Sequence, residues 1–411
     1  MSRIALFHPS FAVSGGAEFL IASQAQALQA DGHDLRLVTG GFDAGRWEAL
    51  LAGIPVATFQ KTRHLMDLVM PWDRVGKVKR RSQAALTHLA DREIVLAYNY
   101  PSSNMLGYLD PPCRKLWQCN EPPRGIHLRE ANPVLSARVA DCGNGYSEDA
   151  TAAFAARLRS FESSRSKKTV LRGRRDFDIQ TVARLDEIFA ISEFSRDNAK
   201  AIYGRCSDTV VYPVVRFPEG GHQRHGLDRS GLKVLVHSRL EVLKNIDTVI
   251  RGFAQFRDQG CPGAELHVVG EGEHRSRLER LAKETLGEKG WHFHGFLPDA
   301  ELRAVYEACD VFALLPLDEP FGMVFPEAAA KGLLLVGPDH GGPLEILDGG
   351  RLGRVCDPFD IEALADAFSA IWAMDDVAVE RQRSMAAEAC HSRYSEAAVM
   401  PMLRSILEGR S

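Results

Sequence analysis

The stretch "DVFALLPLDEPFGMVFPEAAAKGLLLVG", from Asp310 to Gly337, contains one complete unit of alternating secondary structure. Asp310 to Leu315 and Gly332 to Gly337 are short apolar runs bounded by turn residues, which is typical of buried strands. Between them, Phe325 to Lys331 has the pattern of a helix that begins near Pro326. Strands that alternate with helices in this way predict a parallel sheet.

The same alternation extends to both ends of the chain. "RIALFHP" (Arg3 to Pro9) predicts a buried strand, followed by a glycine loop and a helix from Ala17 to Ala30. The sequence "SEFSRDNAKAIYG" predicts a second helix that Ser192 or Ser195 caps and that ends at Gly204. Further strands are predicted at Leu35 to Thr39, Ile94 to Ala97, Lys115 to Cys119, Glu187 to Ile191, Lys233 to Ser238, Ala264 to Gly270, Trp291 to Gly295 and Gly353 to Cys356.

A linker divides this alternation into two series. "RFPEGGHQRHGLDRS", within residues 215–231, is rich in Gly, Pro, Arg and His and has no hydrophobic period. We therefore predict an α/β protein with two Rossmann-like, doubly wound parallel sheets facing a central cleft. The expected domains are residues 1–214 and 232–376, with a helical segment over residues 377–411.

Composition excludes several classes of protein. The chain has 411 residues, 45% of them hydrophobic, and a net charge of −4, so no global field would recruit nucleic acid. Its eight Cys residues include no Cys-x-x-Cys pair and no His/Cys spacing typical of zinc, so no metal site is predicted. The N-terminus lacks the apolar region of a signal peptide, and no apolar run approaches the ~20 residues of a membrane span. We expect a cytoplasmic protein.

Ligands of such sheets bind at the carboxyl ends of the strands, where two motifs suit phosphate. Gly15 and Gly16 in "SGGAE" would let backbone N–H groups approach an anion at the start of a helix, although a plain tight turn explains them equally well. Arg239 and Lys244 in "HSRLEVLKN" combine a planar fork with a mobile point charge, a pair suited to a diphosphate. Solvated loop charges are the alternative.

Two further glycine loops follow strands. "VGEGEHRSRL" matches the dinucleotide fingerprint only at Gly270 and Gly272, and Arg275 stands in place of the third glycine, which argues against a nicotinamide enzyme. Gly270 and Glu271 either line the edge of a nucleotide or simply turn the chain. "DHGGPLEI", from Asp339 to Ile346, provides another glycine loop with a carboxylate after it.

Two carboxylates separated by seven residues, Glu319 and Glu327, flank the loop of the opening stretch. Such a pair can serve acid/base catalysis, metal binding or hydroxyl recognition. Glu319 is expected on the loop and Glu327 in the first turn of the helix, where a carboxylate that only complements the helix dipole would be unremarkable. With the N–H groups of Phe321, Gly322 and Met323 between them, they form a cradle that offers both donors and acceptors.

At this point the chain resembles the retaining, nucleotide-sugar-dependent glycosyltransferases of family 4, which have the GT-B fold. The resemblance runs from about Ile4 to Phe368 and is strongest from Lys233 onward, and "EPFGMVFPE" fits the E-x7-E element of the family in full. The matching segments are "SGGAE", "SEFS", "VVYPVV", "SRLEVLKN", "VVGEGEHRSRL", "FHGFLPDAELRAVYEACDVFALLPLDEPFGMVFPEAAAKG" and "GGPLEI". The resemblance also implies that the last helical segment crosses back to the first domain.

The resemblance implies roles for individual residues. Arg239 and Lys244 would bind the donor diphosphate and stabilise the charge that develops on the leaving group. Glu319 would hold hydroxyls of the donor sugar, and Glu327 would take the two ribose hydroxyls. The acceptor would attack from the face that the leaving group departs, with a donor phosphate oxygen taking the proton. Double displacement with Glu319 as nucleophile is the less favoured variant.

The remaining donor contacts are also implied by the resemblance. The backbone at Phe321, Gly322, Met323 and Val324 would assist Glu319, and Gly16 would complete the phosphate site when the lobes close. The donor would be a UDP- or GDP-sugar, and neither a cofactor nor a metal would be needed. The nucleotide base, the sugar and the acceptor are left open.

One position departs from the family pattern. After the strand "KLWQC", where many relatives have a His, this chain has Asn120 followed by Glu121. Asn120 or Glu121 is expected to replace the imidazole that contacts the sugar, or His127 reaches in from farther along the chain. A lone His8 near the first glycine loop is expected to be structural.

The acceptor is indicated only by two basic tracts in the first domain. Arg74, Lys77, Lys79, Arg80 and Arg81 lie within "HLMDLVMPWDRVGKVKRR" beside apolar residues, and "SRSKKTVLRGRR" is the second tract. Such patches suit a lipid-linked or anionic glycan acceptor and peripheral contact with the inner face of a membrane. A solvated surface is the alternative. Two other functions stay open: a nucleotide-sugar epimerase of the same architecture and a non-catalytic protein that binds sugar nucleotides.

Overall fold

The computed structural model contains two parallel sheets of six strands each. It describes residues 1–12, 15–59, 73–132, 136–138, 156, 165–218 and 226–410. With the strands of each sheet numbered along the chain, the first sheet has the order 3-2-1-4-5-6 and the second has the same order in reverse, 6-5-4-1-2-3. Counted within each sheet, both follow the 3-2-1-4-5-6 order of doubly wound Rossmann folds. The predicted α/β class with two Rossmann-like sheets is confirmed.

The first compact unit comprises Met1–Ala131, Phe161–Val214 and Ala397–Ser411. Its strands are β1 (Arg3–His8), β2 (Asp34–Thr39), β3 (Val56–Thr58), β4 (Ile94–Tyr98), β5 (Arg114–Cys119) and β6 (Glu187–Ala190). Its helices are α1 (Gly16–Ala30), α2 (Ala44–Trp47), α3 (Arg74–Leu89), α4 (Ser102–Leu109), α5 (Arg124–Ala131), α6 (Arg165–Val182), α7 (Glu193–Tyr203) and α15 (Glu396–Glu408), the last beginning one residue before the unit boundary.

The second compact unit comprises Asn132–Ser160 and Val215–Glu396. Its strands are β7 (Lys233–His237), β8 (Glu265–Val269), β9 (Trp291–Gly295), β10 (Val311–Ala313), β11 (Leu334–Pro338) and β12 (Arg354–Cys356). Its helices are α8 (Ile246–Asp258), α9 (Arg275–Leu286), α10 (Asp299–Ala308), α11 (Val324–Ala330), α12 (Gly341–Ile346), α13 (Ile361–Trp372) and α14 (Asp376–Tyr394), with 3-10 turns at Val242–Lys244 and Asp348–Gly350.

The central strands are buried as their apolar sequences predict. In β1 every residue after Arg3 is buried, and Val234, Leu235 and Val236 of β7 have no exposed surface. The predicted cap of α7 is also present, since the Ser192 side chain accepts a hydrogen bond from the Ser195 amide. Strand β3 was missed because its three residues lie at the edge of the sheet and are only half-buried or exposed, which leaves little hydrophobic signal.

The C-terminal helices divide between the two units. Helix α14 belongs to the second unit, where the buried Arg383 donates to the Gly226 carbonyl at 2.6 Å. Most of α15 belongs to the first unit, where Arg404 pairs with Asp31 at 2.7 and 2.9 Å. The helical segment predicted over residues 377–411 therefore passes from the second unit to the first near Ser395, the residue between the two helices.

Among the described helices, none combines the length and the apolar character that crossing a bilayer requires.

Candidate functional site

The loops that follow β7 and β10 lie at the switch point of the second sheet. These two strands are neighbours, but the chain continues from β7 to β8 on one side and from β10 to β11 on the other. In open α/β sheets the crevice at the carboxyl ends of such a strand pair is where ligands bind. Arg239 and Lys244 follow β7, and Glu319 follows β10. The structure therefore places these three predicted residues on the loops of one crevice.

Hydrogen bonds join these two loops to each other. Asn245 has a left-handed backbone (φ +55°), and its buried side-chain amide donates to Leu315 O at 2.9 Å and to Pro358 O at 2.8 Å. The Leu317 amide donates to Leu243 O at 2.9 Å. These bonds fix the residues next to Asn245 relative to the end of β10. Sequence analysis missed Asn245, although Asn is one of the few residues that readily adopts positive φ.

Lys244 and Glu319 form an ion pair within the crevice. Lys244 Nζ lies 2.5 Å from Glu319 Oε2, and the two side chains are only 20% and 17% exposed. Arg239 differs, because its side chain is 68% exposed and its guanidinium pairs with Glu241 at 2.6 Å. The ammonium therefore has a fixed position beside the carboxylate, whereas the guanidinium extends into solvent.

Helix α11 carries the second carboxylate of the predicted pair. The helix begins at Val324, two residues before the predicted start, and Glu327 is half-buried in its first turn. Burial raises the pKa of Glu327, and the nearby Lys331 ammonium opposes that rise. Lys331 Nζ lies 4.6 Å from the ring centroid of Tyr306, whose hydroxyl is 2.8 Å from His237 Nδ1.

His237, at the end of β7, has a neutral imidazole at physiological pH. Burial, with a smaller contribution from Lys331, lowers the pKa of His237 to about 4. Lys331 itself has a lowered pKa because it is buried, although Glu327 opposes the effect. His237, Tyr306 and Lys331 were not predicted from sequence. A histidine directly before "SR" at a strand end was the available signal.

The loop of Gly341 and Gly342 packs against the loop that carries Glu319. The Gly342 amide donates to Glu319 O at 2.9 Å, and Gly341 has φ +74°. A Cβ atom on Gly342 would lie 2.3 Å from Pro320 O, closer than any side chain can approach backbone. The two glycines of "DHGGPLEI" are therefore required for close packing of two loops.

A segment before α6 reaches the same loops. Asn132 Nδ2 donates to Asp318 Oδ1 at 2.6 Å, and Arg138 makes two bonds of 2.7 Å to the carboxylate of Asp339. Burial alone would raise the pKa of Asp339, but bonds from His340 and Arg138 outweigh it and lower the pKa to about 2. No motif in the sequence indicated that Asn132 and Arg138 contribute here.

The loop of Gly270 packs against the Arg239 loop. Gly270 has φ +128°, and a Cβ atom on it would lie 1.9 Å from Ser238 O. The Leu240 amide donates to Glu271 O at 2.9 Å, and the Glu271 side chain pairs with Arg275 at 2.6 Å. Gly270 is thus required for a close backbone approach, and the donor contacts predicted for Gly270 and Glu271 stay predictions.

In the first unit, α1 begins at Gly16, one residue before the predicted start at Ala17, and the phosphate contact given to Gly15 and Gly16 stays a prediction. Gly15 is the extended N-cap residue, and Ser14 of the same motif lies outside the described residues. His8, at the end of β1, is buried with its Nε2 2.9 Å from Glu18 Oε1. This buried pair agrees with the structural role expected for His8.

The three acceptor-side candidates have different environments. Asn120 follows β5, and its carbonyl accepts from Ser195 Oγ at 2.6 Å, while Glu121 pairs with Arg124. The side chain of His127 is 3% exposed, and its Nε2 lies 2.7 Å from Asp178 Oδ2. His127 is therefore enclosed beside a carboxylate, and its contact with a sugar stays a prediction. Asn120 and Glu121 stay candidates.

Part of the predicted basic surface lies on α3. Arg74 and Lys79 are exposed, and Lys77, Arg80 and Arg81 are half-buried. Lys79 Nζ lies over the rings of Tyr108 on α4 and Phe177 on α6, 5.5 and 5.6 Å from their centroids. The apolar part of the first tract, residues 64–72, and the side chains of residues 164–167 in the second lie outside the described residues.

Comparison with known proteins finds a family match within the second unit and relatives of different extent. Residues 221–390 match the family described as "Glycosyl transferases group 1". Mannosylfructose-phosphate synthase of Agrobacterium fabrum is 31% identical over 197 residues, which are 46% of this chain and 42% of that protein. An uncharacterized glycosyltransferase of Methanocaldococcus jannaschii is 23% identical over 82% of this chain and 79% of its own length. The chain spans less than half the length of the first curated relatives that it matches.

Solved structures resemble the whole chain. The crystal structure of HepE from Anabaena, in complex with UDP and glucose, covers 99% of this chain and 99% of its own, with a TM-score of 0.68 and 18% identity. At this identity the likeness concerns the fold, and it confirms the GT-B class that the sequence resemblance predicted.

Proposed function

We propose that this protein is a retaining glycosyltransferase of family 4 that moves a sugar from a nucleoside diphosphate sugar to an acceptor hydroxyl. The observation that carries the proposal is the contact between Lys244 and Glu319 at the switch point of the second sheet. The match to group 1 glycosyl transferases and the names of the relatives support it. They give the epimerase alternative no support.

The ion pair suits a donor that brings both phosphate and hydroxyl groups. A diphosphate would draw the Lys244 ammonium away from Glu319, because charge-assisted bonds to phosphate are strong. Hydroxyls of the transferred sugar would then donate to the Glu319 carboxylate in place of the lysine. One donor molecule thus provides a new partner for each of the two residues of the ion pair.

Glu327 suits the ribose for a related reason. Burial raises the pKa of this carboxyl, which shows that its environment solvates the charge poorly. Two ribose hydroxyls that donate to it would stabilise the ionised form. The neutral His237 and the Tyr306 hydroxyl form a hydrogen bond with each other. The nearby Lys331 ammonium compensates the negative charge of Glu327.

In the proposed reaction the acceptor attacks from the face that the leaving group departs. The bond between the anomeric carbon and the diphosphate oxygen breaks, the acceptor oxygen bonds to that carbon, and the acceptor proton passes to a donor phosphate oxygen. Lys244, with Arg239 reoriented from solvent, stabilises the negative charge that develops on the nucleoside diphosphate. Amides at Phe321, Gly322, Met323 and Val324 bind the donor, and no metal takes part.

For the acceptor we propose a lipid-linked or anionic glycan. The basic residues of α3 would attract such a molecule and allow peripheral contact with an anionic membrane surface. Relatives include enzymes named for phosphatidylinositol monomannoside mannosyl transfer, which is compatible with that class. The donor base is left to experiment, because the solved neighbour was crystallised with UDP and the mannosyl relative is named for GDP-mannose.

Binding and turnover of donors test the proposal. Calorimetry with UDP, GDP, UDP-glucose and GDP-mannose should show one site, lost or weakened at least tenfold in Lys244→Met. Lys283→Met is the matched control, since Lys283 is 62% exposed on α9 of the same unit. Proton NMR of the product formed from the binding donor should show the anomeric configuration of the donor. Inversion, or conversion of the donor into its epimer without acceptor, contradicts the proposal.

A further inference from the structure

Three histidines and a glutamate share one face of the sheet edge in the second unit. Strand β8 carries Glu265 and His267, and the edge strand β9 carries His292 and His294. Side chains two residues apart project from the same face of a strand, and His267 lies directly beside His292 in the parallel register. The proposed glycosyl transfer uses none of these residues.

The side chains contact one another closely. The His267 ring stacks near His292 and His294, with centroid distances of 4.8 and 5.3 Å. His267 Nδ1 is 3.1 Å from His294 Nε2, and His267 Nε2 is 3.5 Å from Glu265 Oε2. Ligand atoms of Glu265, His267 and His292 all lie within 4.8 Å of one another.

One atom of this cluster has no satisfactory partner. His267 Nε2 is buried and forms no hydrogen bond with any described residue, although buried polar atoms are nearly always bonded. It faces a carboxylate oxygen and a second imidazole, so the atoms around it are acceptors or ring nitrogens. A cation between them would satisfy all three groups together.

We propose that Glu265, His267 and His292 bind a divalent transition-metal ion, with Zn²⁺ as the expected occupant. Two imidazoles and a carboxylate are ligands that Zn²⁺ accepts, with water in the fourth position. Bonds of about 2.0–2.2 Å in a tetrahedron bring ligand atoms to about 3.3 Å from one another. The exposed His292 and the half-buried Glu265 can rotate to close the distances.

His294 completes the site as a positioning residue. A metal-bound imidazole usually donates its other N–H to a nearby acceptor, which fixes the tautomer and the ring orientation. With the proton on Nδ1 bonded to His294 Nε2, His267 presents the lone pair of Nε2 to the metal.

Zinc at this site would tie the edge strand β9 to β8. Mg²⁺ should not bind, because it prefers oxygen ligands in an octahedron. No metal site was predicted from the sequence because the ligands come from two strands. His267 and His292 lie two and 27 positions after Glu265, a spacing that matches no zinc motif. The site shares no residue with the Lys244 crevice, so its test is independent of the proposed function.

The test is a titration of the untagged, metal-free protein with ZnCl₂ by calorimetry, with MgCl₂ in parallel. We expect one Zn²⁺ per chain, a higher melting temperature with Zn²⁺, and no response to Mg²⁺. His292→Ala should lower the affinity by about 100-fold or more, and His294→Ala by about 10–100-fold. His391→Ala, an exposed histidine on α14, is the matched control and should bind like the wild type.

Circular dichroism of each variant without metal verifies its fold, and His292 is exposed enough for alanine to be tolerated. Binding that is equal in all four proteins, or that His391→Ala weakens as much as His292→Ala does, overturns the proposal. Absence of a zinc-dependent shift in the wild type does the same.

Discussion

Removing the ammonium of Lys244 measures how strongly the two loops of the crevice are coupled. The substitution Lys244→Met keeps an unbranched stem of similar length and deletes the charge, and Glu319→Gln keeps the shape of the partner. Each single variant leaves one polar group without the contact of 2.5 Å seen in the structure. The double variant removes both.

The size of the effect follows from burial. Exposed ion pairs contribute about 0–1 kcal/mol, but Lys244 and Glu319 are only 20% and 17% exposed, so screening by water is weaker here. Hydrogen bonds that involve charged groups contribute about 1.5–3 kcal/mol, and desolvation of both charges offsets part of that. We expect each single variant to lose about 1.5–3 kcal/mol and the double variant to lose about 1–2 kcal/mol less than the sum.

Urea unfolding at pH 7, followed by tryptophan fluorescence and circular dichroism, measures these differences for the transition of the second unit. The matched control is the pair of Lys283 and Glu288, which are 2.9 Å apart but 62% and 73% exposed. Its coupling should stay below about 0.5 kcal/mol. If the effects of Lys244→Met and Glu319→Gln simply add, the two side chains do not interact in solution and the crevice is not organised as described.

Three further substitutions address other parts of the site. Asn245→Ala removes three buried hydrogen bonds and should destabilise the second unit by about 2–4 kcal/mol in urea unfolding; a loss under 1 kcal/mol contradicts the anchoring role. The pKa of Glu327 is raised above its ordinary value of 4.5, so stability is lost as pH rises through the folded-state pKa. Glu327→Gln should therefore raise the melting temperature at pH 7 but not below about pH 4.5, unlike the exposed control Glu388→Gln. Gly342→Ala places a Cβ 2.3 Å from backbone and should cost about 1–3 kcal/mol, whereas Gly173→Ala, with open space around it, should be neutral or stabilising by calorimetry.

Hydrophobic patterning predicted most of the fold because the inner strands of both sheets, such as β1, β4, β10 and β11, are buried almost throughout. Eleven of the twelve strands coincide with apolar runs in the sequence, and the exception, β3, lies at a sheet edge. The position of the site was also predictable. A charged or glycine-rich loop after a parallel strand lies at the ligand-binding edge whatever the rest of the fold is.

Contacts between loops were beyond sequence reasoning. Asn245 joins the end of β10 to the loop after β12, and Arg138 reaches Asp339 across 201 positions of sequence. Neither pairing has a local signature. The enclosure of His127 beside Asp178 was likewise not indicated by the sequence, and the sugar contact offered for this histidine stays a prediction.

The ion pair in the crevice also bears on which ligands the site can favour. A ligand with phosphates but no sugar can take Lys244, but it leaves Glu319 without that cation in a place where water has little access. A ligand with sugar hydroxyls but no phosphate can donate to Glu319 but provides no anion for Lys244. Only a molecule that brings both groups in the right order compensates the loss of the 2.5 Å contact on both sides. If the proposed function is correct, the pair disfavours a free nucleotide and a free sugar relative to an intact nucleotide sugar. Each fragment must break the ion pair but provides a new partner for only one of its two members.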